Sequence, residues 1–297
     1  MSSILSNRVQ KVKPSATMAV SDKAKELKSQ GIQIVSMGSG EPDFDTPANI
    51  QKAAVKAIGA GETRYTPADG TPELKKAICE KFKRENGLDY SATEVMVSCG
   101  GKQVFYNLCQ AILNEGDEVI IPTPYWVSYP DMAILADATP VFIEAGLDQD
   151  FKITPDQLEA SITPKSKLFV LNSPSNPTGS VYSKSEIEAL GEVLERHPHV
   201  LTISDDIYEH IRWGEDDFVN IAMACPNLKE RVVILNGVSK AYAMTGWRIG
   251  YAAGPEAVIK AMKKIQGQST SNPSSISQAA ALEAITGDQS FISMMVE

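Results

Sequence analysis

Seven short apolar runs, most of them rich in β-branched residues, constrain the fold of this 297-residue chain more than any other feature. The predicted strands are residues 95–98, 119–122, 141–143, 168–172, 200–204, 232–235 and 249–253. Amphipathic segments alternate with these runs, which predicts an α/β domain whose strands feed loops at one edge of a sheet. We therefore expect one large central sheet of seven strands.

Two helix starts are readable in the sequence. Ser183 and Glu186 form a capping box ahead of an apolar stripe that reaches Leu194. Thr46 stands where an N-cap precedes a first-turn proline, Pro47, and glycines at 59 and 61 mark the expected end of that helix.

The composition excludes several classes of function. The chain has 43% hydrophobic residues and a net charge of -9, with no basic run, so a nucleic-acid partner is not expected. No stretch has the length of an export signal or a membrane span, which predicts a cytoplasmic protein.

Neither the cysteines nor the histidines follow a metal-binding pattern. Four cysteines show no Cys-x-x-Cys pair and are interpreted as reduced, mostly packing thiols: Cys79, Cys99, Cys109 and Cys225. The three histidines have no helix-face ligand spacing, so no metal site is expected.

Lys240 follows the strand at 232–235 and has a guanidinium, Arg248, eight residues later. A lysine at a strand end, near another cation and partly desolvated, has a lowered pKa and becomes a candidate Schiff-base nucleophile. The alternative for a lone lysine is an ordinary place on the surface.

A glycine turn follows the first strand and opens an amphipathic helix. Gly100 and Gly101 precede Lys102, and apolar residues then recur at helical spacing. Backbone amides at a helix N-terminus favour a phosphate.

Asp205 and Tyr208 follow the strand at 200–204. A carboxylate at the end of a buried strand needs a partner, and a protonated ring nitrogen would satisfy it. The alternative is an aspartate that caps the following helix.

Three further residues add to the set. Asn176 lies in a proline-rich loop that would present its amide rigidly, and Trp126 offers a flat face for a heteroaromatic ring. Tyr65 is a further hydroxyl, and core packing is the alternative for both aromatic residues. An amine, a phosphate turn, a carboxylate, an indole and an arginine together match the needs of pyridoxal 5'-phosphate.

The chain resembles the class I pyridoxal-phosphate aminotransferases of fold type I, and among them bacterial aspartate aminotransferases related to bifunctional aspartate/prephenate enzymes. The resemblance rests on the motifs at 40–47, 100–103, 124–130, 172–179, 204–209 and 239–251. It implies a three-layer large domain around a mixed, mostly parallel sheet, with an incomplete small domain. Residues 1–46 would form an N-terminal arm and small-domain segment, and residues 47–297 the cofactor-binding domain.

The resemblance also implies a role for each site residue. Lys240 would hold the cofactor aldehyde and carry the proton to and from the substrate, and Asp205 would keep the pyridine nitrogen protonated. Asn176 and Tyr208 would bind the phenolic oxygen while Trp126 stacks on the ring.

The remaining implied roles concern the phosphate and the substrate. The phosphate would be held by Gly101, Lys102, Ser239 and Arg248, and by Tyr65 of the neighbouring subunit in a homodimer. The substrate would contact Gly40, Trp126 and Asn176, and Lys13 would bind its second carboxylate.

The chain departs from the family pattern at Gly100 and Gly237, where relatives have serine, so fewer hydroxyls would serve the phosphate. The family's C-terminal portion, which supplies an arginine for the substrate α-carboxylate, has no counterpart after Glu297. The apolar residues of 291–296 are interpreted as a short terminal helix or as a chain that ends within a longer architecture.

The predicted function is ping-pong transamination between aspartate, or a similar acidic amino acid, and 2-oxoglutarate, with prephenate as a further possible substrate. One alternative is another pyridoxal-phosphate reaction on the same scaffold, such as β-elimination or decarboxylation. A second is a truncated chain that binds the cofactor with little turnover.

Overall fold

The computed structural model describes residues 4–14, 16–35, 38, 40–214 and 217–297. None of the helices in these ranges is long and apolar enough to cross a membrane. The predicted arm at 1–46 contains α1 (Asn7–Lys11) and α2 (Ala16–Ser29), and its residues 1–3, 15, 36, 37 and 39 lie outside the described residues.

A seven-stranded sheet forms the centre of the molecule, as the sequence predicted. Its strands are β1 (Val95–Ser98), β2 (Glu118–Thr123), β3 (Thr139–Glu144), β4 (Ser166–Asn172), β5 (Leu201–Asp205), β6 (Val232–Gly237) and β7 (Gly250–Ala253). Their order across the sheet is β1-β7-β6-β5-β4-β2-β3. Only β7 runs antiparallel to its neighbours, β1 and β6, so the sheet is mixed and mostly parallel.

Helices cover both faces of the sheet. They are α3 (Ala48–Gly59), α4 (Pro72–Asn86), α5 (Gly101–Ile112), α6 (Ser128–Leu135), α7 (Pro155–Ser161), α8 (Lys184–Arg196), α9 (Ile221–Ala224), α10 (Glu256–Gly267), α11 (Ser275–Thr286) and α12 (Phe291–Val296). Buried residues of α3, α4, α8 and α11 form one apolar core, and those of α5, α6 and α10 form the other. The three-layer architecture is therefore confirmed.

The strands contribute to both cores because successive side chains point to opposite faces. In β6, Ile234 packs in the core under α4 and α8, whereas Val233 and Leu235 pack in the core under α5 and α10. This alternation decides which residues at the strand ends face the cavity described below.

The helix starts agree with the sequence in one case and differ in the other. Ser183 and Glu186 form the predicted capping box of α8. The prediction that Thr46 caps α3 is wrong, because Pro47 occupies the N-cap and the Thr46 hydroxyl donates to Ala243 O at 2.6 Å. A tertiary hydrogen bond thus replaces the local one. At the other end of the chain, the apolar cluster forms the short helix α12, whose Phe291 packs against the core.

Candidate active site

A cavity of about 240 Å³ opens at the edge of the sheet where the parallel strands end. Since β7 is antiparallel, the residues that precede it lie at the same edge as those that follow β1, β2, β4, β5 and β6. Nine predicted site residues line the cavity: Gly101, Lys102, Trp126, Asn176, Asp205, Tyr208, Ser239, Lys240 and Arg248.

The half-buried Lys240 lies in the loop after β6, with its Nζ 5.6 Å from the centre of the Tyr208 ring. The Lys240 ammonium also donates to Gly40 O, which brings the predicted Gly40 to the rim of the cavity. Burial lowers the pKa of Lys240, and Arg248 lowers it further, while Glu41 and Asp205 oppose the change. A larger fraction of this amine is therefore neutral than in a lysine exposed to water.

Asp205 ends β5 and is buried, and Tyr129 donates to its Oδ2 at 2.5 Å. Its Oδ1 accepts from the Ile207 amide at 3.3 Å, so the carboxylate does not cap a helix. Burial raises the pKa of Asp205 to about 6, although Tyr129, the Ile207 amide and the Lys240 charge lower it. Asp205 is therefore less readily ionised than an aspartate in water, and a positively charged ligand in the cavity would favour its ionised form.

The predicted glycine turn after β1 lies against the guanidinium of Arg248. Gly100 has φ 87°, and a Cβ there would collide with Arg248, so a serine could not replace this glycine without moving the arginine. Gly101 and Lys102 then begin α5, where the first helical amides have no partner within the helix. Burial lowers the pKa of Lys102, and Arg248 lowers it further. Two cations beside a helix N-terminus form an arrangement that favours a phosphate.

Asn176 and Tyr208 are fixed to each other and to the sheet. Asn176 Nδ2 donates to the Tyr208 hydroxyl at 3.4 Å, and the Asn176 amide donates to Asn172 Oδ1 at 2.8 Å. Asn172 Nδ2 in turn donates to Asp205 O at 2.9 Å. Burial, together with the charge of Asp205, raises the pKa of Tyr208 to about 12, so its hydroxyl stays protonated at neutral pH.

Three predicted residues do not line this cavity, and one of them, Gly40, lies at its rim. Tyr65 is 92% exposed, and Lys13 is exposed in the segment that precedes α2. Five lining residues were given no site role by the sequence analysis: Tyr129, Asn172, Ile207, Leu235 and Thr245. Tyr129 lies in the first turn of α6, three residues after Trp126, which precedes the helix. The two rings make an edge contact with centroids 5.2 Å apart, so the closeness to Trp126 in the sequence is the signal that could have identified Tyr129.

The residues present fit pyridoxal 5'-phosphate. The buried Asp205 requires a positive partner, which a protonated ring nitrogen provides, and Lys240 lies at the same cavity with a lowered pKa. The turn at Gly100 leaves room for Arg248 beside the free amides of α5, where a phosphate would bind.

Comparison with known proteins gives a consistent result. The family model described as "Aminotransferase class I and II" matches residues 32–297. An aspartate/prephenate aminotransferase from Nitrosomonas europaea is 59% identical over 293 residues, which are 99% of this chain and 74% of that protein. The protein of the same name from Cereibacter sphaeroides is 59% identical over 97% of this chain and 72% of its own length.

Solved structures agree with the fold. The aspartate aminotransferase from Rhizobium meliloti superposes with a TM-score of 0.95 at 50% identity, covering 98% of this chain and 73% of that one. The Thermus thermophilus aspartate aminotransferase with maleate gives a TM-score of 0.94 at 47% identity, over 98% of this chain and 76% of that one.

Proposed function

Because this chain belongs to the class I and II aminotransferase family, we propose that it transfers the amino group of aspartate, or of a similar acidic amino acid, to 2-oxoglutarate. Members of this family depend on pyridoxal 5'-phosphate. One observation carries the proposal: nine residues predicted from the sequence line a single cavity around Lys240 and Asp205. The names of the relatives make prephenate a further candidate substrate.

The cofactor, when bound, supplies an electrophilic aldehyde and a ring that withdraws electrons from the substrate Cα. The remaining chemistry belongs to side chains of the chain. The Asp205 carboxylate would hold the proton of the ring nitrogen, and Tyr129 would keep that carboxylate ionised by donating to it. Asn176 and Tyr208 would donate to the phenolic oxygen, since they already lie together at the cavity.

Lys240 has two functions in this proposal. Its neutral amine would bind the cofactor aldehyde, and it would then move the proton at the substrate Cα. The lowered pKa of Lys240 supports both functions, because a protonated amine can neither attack a carbonyl nor accept a proton. The amides of Gly101 and Lys102, with Ser239 and Arg248, would hold the phosphate.

The other parts of the prediction extend this proposal. We propose a homodimer in which Tyr65 reaches the partner's phosphate, since its ring is 92% exposed and outside the cavity. Lys13 would bind the second carboxylate of the substrate. Residues 1–46 would act as arm and small-domain segment beside a large domain at 47–297, in a cytoplasmic protein whose cysteine spacing suits a reducing compartment.

Absorption spectroscopy tests the function. The protein incubated with pyridoxal 5'-phosphate should develop a visible band that Lys240→Ala abolishes, while Lys264→Ala, an exposed lysine of α10, retains it. Aspartate alone should bleach the band, and 2-oxoglutarate should restore it with formation of glutamate.

Three results would contradict parts of the proposal. A band that persists in the Lys240→Ala variant would refute the assignment of that lysine. A band that no amino acid alters would refute transamination and favour binding without turnover. Release of ammonia or carbon dioxide from the amino acid would indicate elimination or decarboxylation instead.

A further inference from the structure

A second layer of buried polar residues lies beneath the cavity, on the opposite face of β5 and β6. Leu235 lines the cavity, but the next residue of β6, Asn236, turns to the other face and is 2% exposed. Likewise Tyr208 lines the cavity, whereas Glu209 is buried away from it. Each buried residue therefore follows directly after one that lines the cavity.

Glu209 is the centre of this layer. Its Oε1 accepts from Asn236 Nδ2 at 2.7 Å and from Lys81 Nζ, and its Oε2 accepts from Asn86 Nδ2 at 3.1 Å. Lys81 Nζ also donates to Asn86 Oδ1 at 3.0 Å, and its side chain is fully buried. We call Lys81, Asn86, Glu209 and Asn236 the Lys81 cluster.

In the Lys81 cluster, the Lys81 ammonium takes the place that a metal ion would have beside the carboxylates. Glu85, Glu209 and His210 lie close enough together to hold a metal ion. However, the Lys81 ammonium lies 3.4 Å from Glu85 Oε2 and contacts Glu209 Oε1, so it neutralises the carboxylates that a metal would need. Because Lys81 already compensates the charge of these carboxylates, we assign no metal ion here.

A buried ion pair adds little net stability, because the cost of removing two charges from water offsets their attraction. Its hydrogen bonds nevertheless fix geometry, and here they join three parts of the chain. Lys81 belongs to α4, Glu209 to the turn after β5, and Asn236 to β6. Asn236 Oδ1 also accepts from the Gly237 amide at 2.7 Å, which is the point where β6 leads into the loop of Lys240.

We propose that Asn236 and Glu209 are positioning residues, which hold the turn of Tyr208 and the loop of Lys240 at the separation observed in the cavity. Glu209 is the direct neighbour of Tyr208, and Asn236 precedes Lys240 by four residues. Their 2.7 Å hydrogen bond is a side-chain link between these two segments. The catalytic importance of this link rests on the function proposed above, but the link itself is tested without cofactor.

The test measures the titration of the Lys240 amine in the protein without pyridoxal 5'-phosphate. Competitive acetylation across a pH series, read by mass spectrometry of the Lys240 peptide, gives the midpoint at which this amine becomes reactive. The charged groups that act on it are Glu41, Asp205 and Arg248, and none of them is changed by the variants. The midpoint therefore reports how deeply the loop keeps Lys240 buried.

Asn236→Ala is compared with Asn220→Ala. Asn220 is also 2% exposed and also donates to a buried carboxylate, Asp206 Oδ2 at 2.6 Å, but it caps α9 and does not bond to β6. We expect Asn236→Ala to raise the Lys240 midpoint by about half a pH unit or more, because a loosened loop hydrates the ammonium. Asn220→Ala should leave the midpoint unchanged while lowering thermal stability.

An unchanged midpoint in Asn236→Ala, or an equal rise in Asn220→Ala, would overturn the proposal. Circular dichroism verifies folding, and Asn236→Ser takes the place of the alanine variant, under the same criterion, if that variant does not fold. Absence of the visible band in the wild-type protein with cofactor would contradict the proposed function, and the labelling result would still decide the positioning role.

Discussion

Replacing Tyr129 by phenylalanine removes the hydroxyl that donates to Asp205 Oδ2 at 2.5 Å. Tyr129 is 2% exposed and Asp205 is 5% exposed, so water has little access to the vacated position. A hydrogen bond to a charged group contributes about 1.5–3 kcal/mol, and about 1.4 kcal/mol corresponds to one pKa unit. The variant should therefore raise the pKa of Asp205 from about 6 to between about 7 and 8.

The direction of the pKa change follows from the charge of the hydrogen-bond acceptor, Asp205. The Tyr129 hydroxyl stabilises the ionised carboxylate, so its loss favours the neutral acid and moves the titration to higher pH. At pH 7 a carboxyl with a pKa of about 6 is about nine-tenths ionised, whereas one with a pKa of about 7.5 is about one-quarter ionised. We expect weaker binding of pyridoxal 5'-phosphate at pH 7 in the variant, and a smaller difference at pH 9, where both carboxyls are ionised.

Carbon-13 NMR of protein labelled at the aspartate carboxyl gives the titration directly, with the Asp205 signal identified by its loss in Asp205→Asn. Tyr90→Phe is the matched control, because the Tyr90 hydroxyl is buried and has no hydrogen-bond partner among the described residues. It should leave the Asp205 titration unchanged and alter the free energy of unfolding by less than about 1 kcal/mol. An Asp205 midpoint in Tyr129→Phe equal to or below that of the wild type would refute the reasoning.

Two further variants test the phosphate turn and the layer beneath the cavity. Gly100→Ala should weaken binding of pyridoxal 5'-phosphate by about tenfold or more in equilibrium dialysis, because the new Cβ displaces Arg248. The control is Gly116→Ala, since Gly116 has a similar φ of 90° and open space around it. This control should lose as much stability as Gly100→Ala but retain the affinity for the cofactor. Burial alone would raise the pKa of Glu85, but the hydrogen bond with His210 and the charge of Lys81 lower it to about 2. Glu85 therefore stabilises the fold above pH 4.5, and this contribution disappears as the pH falls towards 2. In urea titrations, Glu85→Gln should lower the free energy of unfolding at pH 7 by up to about 3 kcal/mol. It should also flatten the pH dependence of this free energy between pH 4.5 and 2. Equal acid sensitivity of variant and wild type would contradict this assignment.

The strands were predictable because their apolar content is nearly continuous, as expected for parallel strands buried on both faces. β1 agrees with its prediction at both ends. β3 extends two residues earlier than predicted, because it lies at the edge of the sheet and begins with the exposed Thr139 and with Pro140, which weaken the apolar signal. The helix α4 was not assigned, although Thr71 before Pro72 is a cap signal, and Lys81 of that helix therefore had no predicted place.

Most site residues that the sequence identified lie at a strand end or in the loop beside it, such as Asp205 and Lys240. Residues that act through a second residue were not identified by the sequence analysis, because their partners are distant in sequence. Tyr129 bonds to a carboxylate 76 positions away, and Lys81 bonds to one 128 positions away. Pattern and spacing place a side chain at the end of a strand, but they do not specify what it contacts across the sheet.

The pair Asp205-Asp206 shows how the sheet separates two adjacent acids that the sequence alone does not distinguish. Asp205 faces the cavity, where Tyr129 and Lys240 favour its charge, and its pKa of about 6 leaves it ionised at neutral pH. Asp206 faces the opposite core, where burial raises its pKa strongly and Glu209 raises it further, despite hydrogen bonds from Ser204 and Asn220. The cavity thus favours the charged form of Asp205 for a cationic ligand, whereas the opposite core disfavours the charged form of Asp206. Because strand alternation assigns these environments, a one-residue shift in the register of β5 would exchange the two acids and abolish the site.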